Sequence, residues 1–211
     1  MNNVICINEM FYSLEGETTT AGFTSFFIRL AECNLDCFYC DTEQARVYSN
    51  NIQIGEIIAE VKRNEPFHHI TVTGGEPLLQ KNSIILLQEL IDCGYMVQVE
   101  TNGSISLENV PEGVRIIVDV KTPSSGEAGS FLMDNIKFLK KEDEVKFVIS
   151  SMEDYEFSKE FMKNHLHSTP AVINFSPVYG IMEPSELVKL ILHDRLNVRL
   201  NLQLHKIACF D

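Results

Sequence analysis

Ser25-Phe-Phe-Ile-Arg-Leu30, then Ala31-Glu32, then Cys33-Asn-Leu-Asp-Cys37-Phe-Tyr-Cys40-Asp41-Thr42 joins an apolar, strand-like run to a C-x3-C-x2-C triplet. Three thiolates can hold a four-iron cluster and leave one iron with an open coordination position, where a cofactor can bind; a fourth cysteine would make a plain electron carrier. Other readings compete. Offsets of four and three residues would also set the thiols on one helix face as small core side chains. A structural zinc site would want a fourth Cys or His close by, and Cys37-x-x-Cys40 matches a thioredoxin-like redox pair. Against these, Asn34, Asp36 and Asp41 interrupt any helical apolar stripe, the next residues supply no further ligand, and a redox pair leaves Cys33 unexplained.

The strand-then-loop arrangement recurs along the chain. Ile70–Thr73, Met96–Glu100, Arg115–Asp119, Val145–Ile149 and Ala171–Phe175 join Ser25–Leu30 as strands, since each is short, apolar and β-branched. Val4–Ile7 and Val198–Leu204 extend the sheet at either end. Helical apolar spacing marks Gln53–Lys62, Ile84–Cys93, Asp134–Leu139, Glu153–Met162 and Ser185–His193, with Ser83 and Pro184 as starts. Such alternation predicts parallel strands with crossover helices. The expected fold is therefore α/β, a partial (β/α)6 TIM-like barrel in a single domain over residues 1–211.

In such a barrel the loops at the carboxyl ends of the strands build the site. The unusual residues fall there: the triplet, Thr73-Gly-Gly-Glu-Pro77, Glu100-Thr-Asn-Gly103, Asp119-Val120-Lys121 and Ser176-Pro177. Each alone would pass for a turn or a surface ion pair. Their joint placement on one face points to a site.

Composition narrows the class. A net charge of −13 argues against a surface that grips a phosphate backbone, so no nucleic-acid partner is expected. The N-terminus lacks the pattern of a secretory signal and no apolar run is long enough to span a bilayer, so a cytoplasmic location without membrane attachment is expected. In that reducing compartment six cysteines argue for ligands and buried thiols over disulfides. Cys6, Cys93 and Cys209 are isolated and read as structural.

The chain resembles the radical S-adenosylmethionine (radical SAM) enzymes, and within them the 7-carboxy-7-deazaguanine synthase family. The likeness covers nearly the whole chain and is carried by Asn8-Glu-Met-Phe-Tyr-Ser-Leu-Glu-Gly-Glu17, Phe27-Ile-Arg-Leu30, the triplet with Asp41-Thr42, Thr73-Gly-Gly-Glu-Pro77, Glu100-Thr-Asn-Gly103 and Gln203-Leu-His-Lys206. It implies a barrel of the radical SAM type, with Cys33, Cys37 and Cys40 on a [4Fe-4S] cluster that cleaves S-adenosylmethionine. The implied reaction takes 6-carboxy-5,6,7,8-tetrahydropterin to 7-carboxy-7-deazaguanine with loss of ammonia, in queuosine-type deazapurine biosynthesis. An electron donor such as flavodoxin or ferredoxin and a homodimer follow by the same analogy.

Site residues carry over by position. Tyr39, Cys40 and Asp41 lie at the cofactor, with the Tyr39 ring against adenine. Gly74 and Gly75 let backbone approach, and Glu76 takes the cofactor's ammonium. Asp119, Val120 and Lys121 offer an acceptor and a cation to its amino-acid end, and Ser176, Pro177, Val178 and Tyr179 complete the wall. For the pterin, the resemblance implies Leu14, Glu15, Gly16, Glu17, Arg29, Thr73, His205 and the terminal Asp211. Arg29 would pair with the substrate carboxylate, and His205 could equally be a satisfied core histidine. Thr42 resembles a position whose hydroxyl touches Mg2+.

The sequence also departs from the family. The usual Gln-Gly-Glu-Gly loop reads Glu15-Gly-Glu-Thr18, the glycine common before the first cysteine is Glu32, and Asp119-Val-Lys121 stands where relatives often have Ser-Pro-Lys. An extra carboxylate near an anionic substrate is unfavourable unless protonated, paired or turned outward. The Asp-x-Lys looks more like glycyl-radical activating enzymes, which makes such an activase the rival reading.

Overall fold

The computed structural model describes residues 3–46 and 49–210; Asp211, expected at the substrate, lies outside them. The strands are β1 (Val4–Leu14), β2 (Thr24–Leu30), β3 (Asn50–Gln53), β4 (His69–Gly74), β5 (Met96–Thr101), β6 (Arg115–Asp119), β7 (Glu144–Ile149), β8 (Val172–Pro177) and β9 (Arg199–Leu200). They form one sheet in the order β3-β1-β2-β4-β5-β6-β7-β8-β9. From β2 to β9 every pairing is parallel, and β1 runs antiparallel to both β2 and β3. The sheet stays open between β3 and β9, as a partial barrel requires.

Period-two alternation sorts each strand into two faces. One face is apolar: Phe26, Ile28, Val72, Val99, Val118, Val145 and Phe147 are buried with Ile57 and Val61 of α1 (Ile54–Arg63), Leu86 and Leu90 of α2 (Ser83–Asp92), Tyr155 of α3 (Met152–His165) and Leu187 of α4 (Pro184–Asp194). Each such side chain contributes about 1.5–3 kcal/mol by leaving water. The opposite face carries Thr71 and Thr73, Gln98 and Glu100, Asp119, and Lys146, with Arg29 in register with Thr73 and Asp119 with Lys146. That polar face is the interior of the barrel.

Helix starts follow local chemistry. Glu56 accepts from Gln53 N at 3.3 Å, Ser151 Oγ accepts from Asp154 N at 3.2 Å, and Pro184 opens α4, where a missing N–H is harmless. The segment expected as a helix over Asp134–Leu139 instead forms 3-10 turns over Met133–Phe138. Asn135 is responsible: its buried side chain donates to Gly103 O and Ile105 O and accepts from Leu107 N, which pins the segment to the loop after β5. At the sheet's ends β1 runs on to Leu14 instead of stopping at Ile7, β3 was not expected, and β9 ends at Leu200. Residues beyond β9 turn back over the barrel mouth as α5 (Leu204–Ala208). No described helix is long and apolar enough to cross a membrane.

Candidate active site

A cavity of about 290 Å3 opens where β2, β4, β5, β6 and β7 end, and Cys33, Cys37 and Cys40 all line it. The loop that carries them is fastened by backbone: Glu32 N donates to Ala45 O at 2.9 Å, Glu76 N to Glu32 O at 2.8 Å, and Phe38 N to Ser125 O at 3.0 Å. Gly75 is required here, because a Cβ on it would lie 2.0 Å from Glu32 O and 2.9 Å from Cys33 Cβ. Burial pushes the Cys37 thiol up and the Lys121 ammonium opposes this, so a cation already faces the thiol that must lose its proton to bind metal. No three or more His, Cys, Asp or Glu among the described residues are grouped to hold a single metal ion. Three free thiols lining one cavity fit a cubane, in which each sulfur binds a different iron.

Opposite charges alternate along the strand ends. Lys146 Nζ lies 3.1 Å from Glu17 Oε2 and 3.3 Å from Asp119 Oδ1, and Lys121 Nζ lies 2.8 Å from Asp119 Oδ2. Burial alone would raise the Asp119 carboxyl; Lys121 and Lys146 outweigh it and hold the group below the usual range. Burial would likewise neutralise Lys146, but Asp119, Glu17 and Glu100 keep its proton on. Glu100 accepts from Thr73 Oγ1 at 2.7 Å and is raised by burial, with Lys146 opposing.

Arg29 has a protein partner. Its Nε donates to Glu9 Oε1 at 2.7 Å, Nη1 reaches Thr42 Oγ1 at 3.4 Å, and the guanidinium lies 5.6 Å from the Phe11 ring centre. The inward-facing charge is thus compensated within the protein. Thr42 Oγ1 also donates to Asp41 at 3.2 Å, and Asp41 accepts from Lys206 Nζ of α5 at 3.1 Å. Tyr39 OH pairs with Thr122 Oγ1 at 3.1 Å, and its ring lines the cavity.

Leu14, Glu15, Gly16, Glu17, Thr73, Gly74, Val178 and His205 also reach the cavity wall. Several expected residues do not. Glu76 is fully buried and accepts from Leu78 N at 2.9 Å, Thr101 Oγ1 at 2.8 Å and Asn102 N at 2.7 Å, which leaves it tying β4 to β5. Val120 is in the apolar core, Ser176 Oγ accepts from Asn201 Nδ2, Pro177 ends β8, and Tyr179 is 57% exposed away from the cavity lining. Lys146 and Gln203, whose Nε2 donates to Glu17 Oε1 at 3.0 Å, were missed. A lone lysine at an inward position of the apolar run Val145–Ile149 was the available signal for the first.

The departures have local explanations. Glu32 and Thr18 adopt φ of 73° and 64°, the left-handed conformation that suits the glycine expected at both positions. Glu15 points into the barrel, only 3% exposed, and burial with the neighbouring Glu100 pushes its carboxyl up to about 8. Both influences favour its protonated form.

Residues 28–125 match the Radical SAM superfamily model, a span from β2 through the cysteine triplet to the turn after β6. Fold and site together define a radical SAM enzyme, a class that uses a [4Fe-4S] cluster and S-adenosylmethionine. The chain is 41% identical to the 7-carboxy-7-deazaguanine synthase of Koribacter versatilis over 95% of both sequences. It is 40% identical to that of Methanospirillum hungatei over 95% of this chain and 83% of the relative. The chain belongs to the 7-carboxy-7-deazaguanine synthase family. The crystal structure of QueE from Escherichia coli matches with a TM-score of 0.78 at 23% identity, over 96% of this chain and 95% of that one, a likeness of fold. Streptococcus suis SuiB bound to S-adenosylmethionine matches at 0.56 and 13% identity, over 81% of this chain and 48% of that one. The relatives favour the synthase over an activase.

Proposed function

We propose that this chain is a ring-contracting lyase that converts 6-carboxy-5,6,7,8-tetrahydropterin to 7-carboxy-7-deazaguanine and ammonia. The observation that carries the reading is the meeting, in one cavity, of three free thiols with the alternating Glu17, Lys146, Asp119 and Lys121 charges. When bound, the cluster and S-adenosylmethionine supply one electron and a radical able to abstract hydrogen.

Cys33, Cys37 and Cys40 would hold the cluster. Gly74 and Gly75 bring backbone to the amino-acid end of the cofactor, where Asp119 and Lys121 offer one carboxylate and one ammonium. The Tyr39 ring stands beside the cluster loop, suited to the adenine face. Glu17 and His205 present polar groups to the pterin, with Gln203 and Lys146 fixing Glu17 from either side. Burial lowers the His205 imidazole, so it meets the pterin neutral, able to donate from one nitrogen and accept at the other. Arg29 would exchange Glu9 for the substrate carboxylate, and α5 over the mouth excludes water.

A Mg2+ ion at Thr42 would be completed by Asp41, substrate oxygens and water, the hard ligands this cation prefers. The electron would come from a small carrier such as flavodoxin or ferredoxin. We further place the chain in the cytoplasm as a homodimer of single-domain protomers. An anaerobic assay of the reconstituted protein with the pterin acid, read by mass, tests the reaction: the deazaguanine acid is expected. Cofactor cleavage without that product would overturn the substrate, and no cleavage at all would overturn the enzyme class.

A further inference from the structure

Glu15 is a buried carboxyl that no ion pair reaches among the described residues, because the nearby cations are committed: Lys146 to Glu17 and Asp119, Lys121 to Asp119. Neutral donors hold it instead. Its Oε2 pairs with Thr71 Oγ1 at 2.8 Å and accepts from Gln98 Nε2 at 2.6 Å, Oε1 accepts from Glu17 N at 3.3 Å, and Thr71 Oγ1, 3.0 Å from Ser25 Oγ, can take the carboxyl proton and pass its own to that hydroxyl. Gln98 Oε1 accepts in turn from Thr20 Oγ1 at 3.0 Å, which pairs with Thr18 Oγ1 at 2.8 Å. The carboxyl thus ties the start of the turn between β1 and β2 to β4 and β5, and Gln98 extends the tie to Thr20 in the middle of the turn. That turn carries Gly16 and Glu17 into the cavity.

The charges that bear on it directly are Glu100 on β5 and Glu17 on its own turn; farther off are Asp119 and Lys121 at β6, Lys146 on β7, Arg29 on β2, the Arg115–Glu144 pair that holds Thr19 of the turn, and the histidines His69 on β4 and His205 on α5. Arg29 is paired with Glu9, and burial pushes both histidines toward the neutral form. Burial with no cation in reach, beside a second carboxyl, favours the protonated form. Ionised, it would put a second negative charge beside Glu100 in a cavity that takes an anion.

We propose that Glu15 is a positioning residue for the substrate turn, that it works as the neutral acid, and that losing its proton ends tight binding of the pterin acid. The inference rests on the proposed substrate. Its tests are KM for the pterin acid and for S-adenosylmethionine from pH 7 to 9, in the wild type and in Glu15→Gln. With the carboxyl at about 8, the wild-type substrate KM is expected to rise about tenfold by pH 9, with the cofactor KM unmoved. The rise should be absent in Glu15→Gln, whose amide cannot ionise. Equal pH slopes in the wild type and Glu15→Gln would overturn the proposal.

A second readout needs no turnover. The folded-state carboxyl sits above its ordinary 4.5, so the stability it contributes is complete below about that pH and is lost as pH rises through 8. The thermal midpoint of Glu15→Gln relative to wild type should therefore climb between pH 5 and 9; a constant difference would sink the neutral-acid assignment. A climbing difference without turnover of the pterin acid in either protein would overturn the substrate reading and leave Glu15 as assigned.

Discussion

His205 fills the space where Gly16 lacks a side chain: a Cβ on Gly16 would lie 2.2 Å from His205 Nδ1 and 3.2 Å from its Cβ. The contact is reinforced by backbone, since Leu204 N donates to Gly16 O at 2.8 Å. The segment that closes the mouth is therefore seated directly on the substrate turn.

Gly16→Ala should push the His205 ring and α5 outward while leaving the sheet untouched. Turnover of the pterin acid is expected to fall at least ~10-fold, the scale of a small misplacement of a positioning group. The thermal midpoint should change little. Unchanged kcat/KM would show that His205 does not sit at the substrate.

Gly75→Ala meets backbone instead of a movable ring. Its methyl group would collide with Glu32 O, so the cysteine loop must shift away from β4. Iron retained per chain after anaerobic reconstitution is expected to drop well below that of the wild type, together with the visible absorbance of the cluster. Full iron loading would mean that the loop is not positioned by this contact.

Glu32→Gly tests the strain at the start of the same loop. A non-glycine residue in the left-handed region costs roughly 1–2 kcal/mol, partly offset by the larger entropy that glycine loses on folding. A gain of up to about 1 kcal/mol in urea unfolding is expected, with cluster loading preserved. A loss of stability would show that the Glu32 side chain supports the loop.

What the sequence made legible is the apolar scaffold and the loops on one of its ends. The six parallel strands β2 and β4 to β8 are short β-branched runs, and periodicity reports burial directly. The weakly marked elements escaped for physical reasons. β3 is Asn50-Asn-Ile-Gln53, poor strand formers held by pairing with Val4–Ile7, so tertiary contact and not propensity makes it a strand. The 3-10 turns at Met133–Phe138 come from one buried Asn135 side chain that no local pattern reveals. In the site, the cysteines and glycines were visible because their chemistry is unusual at any position. The partners of charges were not: Arg29 found Glu9 across β1, and Lys146 reached Glu17 from a distant strand. Nor does the Gly-Gly-Glu-Pro pattern tell that Glu76 turns away from the cavity.

Glu76→Gln separates a structural carboxylate from a cofactor ligand. Three donors converge on its two oxygens, so an amide must turn its NH2 toward at least one N–H or hydroxyl donor. A loss of about 1–3 kcal/mol in urea unfolding is expected, with the affinity for S-adenosylmethionine unchanged in the folded fraction. Weakened cofactor binding at unchanged stability would instead place Glu76 at the cofactor's ammonium.

Lys146→Met removes the cation between Glu17 and Asp119 and leaves their carboxylates facing each other across an apolar chain. Breaking such a pair should cost about 3–5 kcal/mol at pH 7. Its pH dependence gives the sharper check. In the wild type Asp119 sits below its ordinary 3.8, so its contribution is present above that value and is lost as pH falls through its lowered folded-state pKa. Without Lys146 the group takes up a proton more readily and the variant gives up less on acidification. The stability gap between the two proteins should therefore narrow as pH falls from about 5 to about 3 in urea titrations. A gap that stays constant over that range would mean that lost packing around the lysine stem, and not unpaired charge, is what the substitution removes.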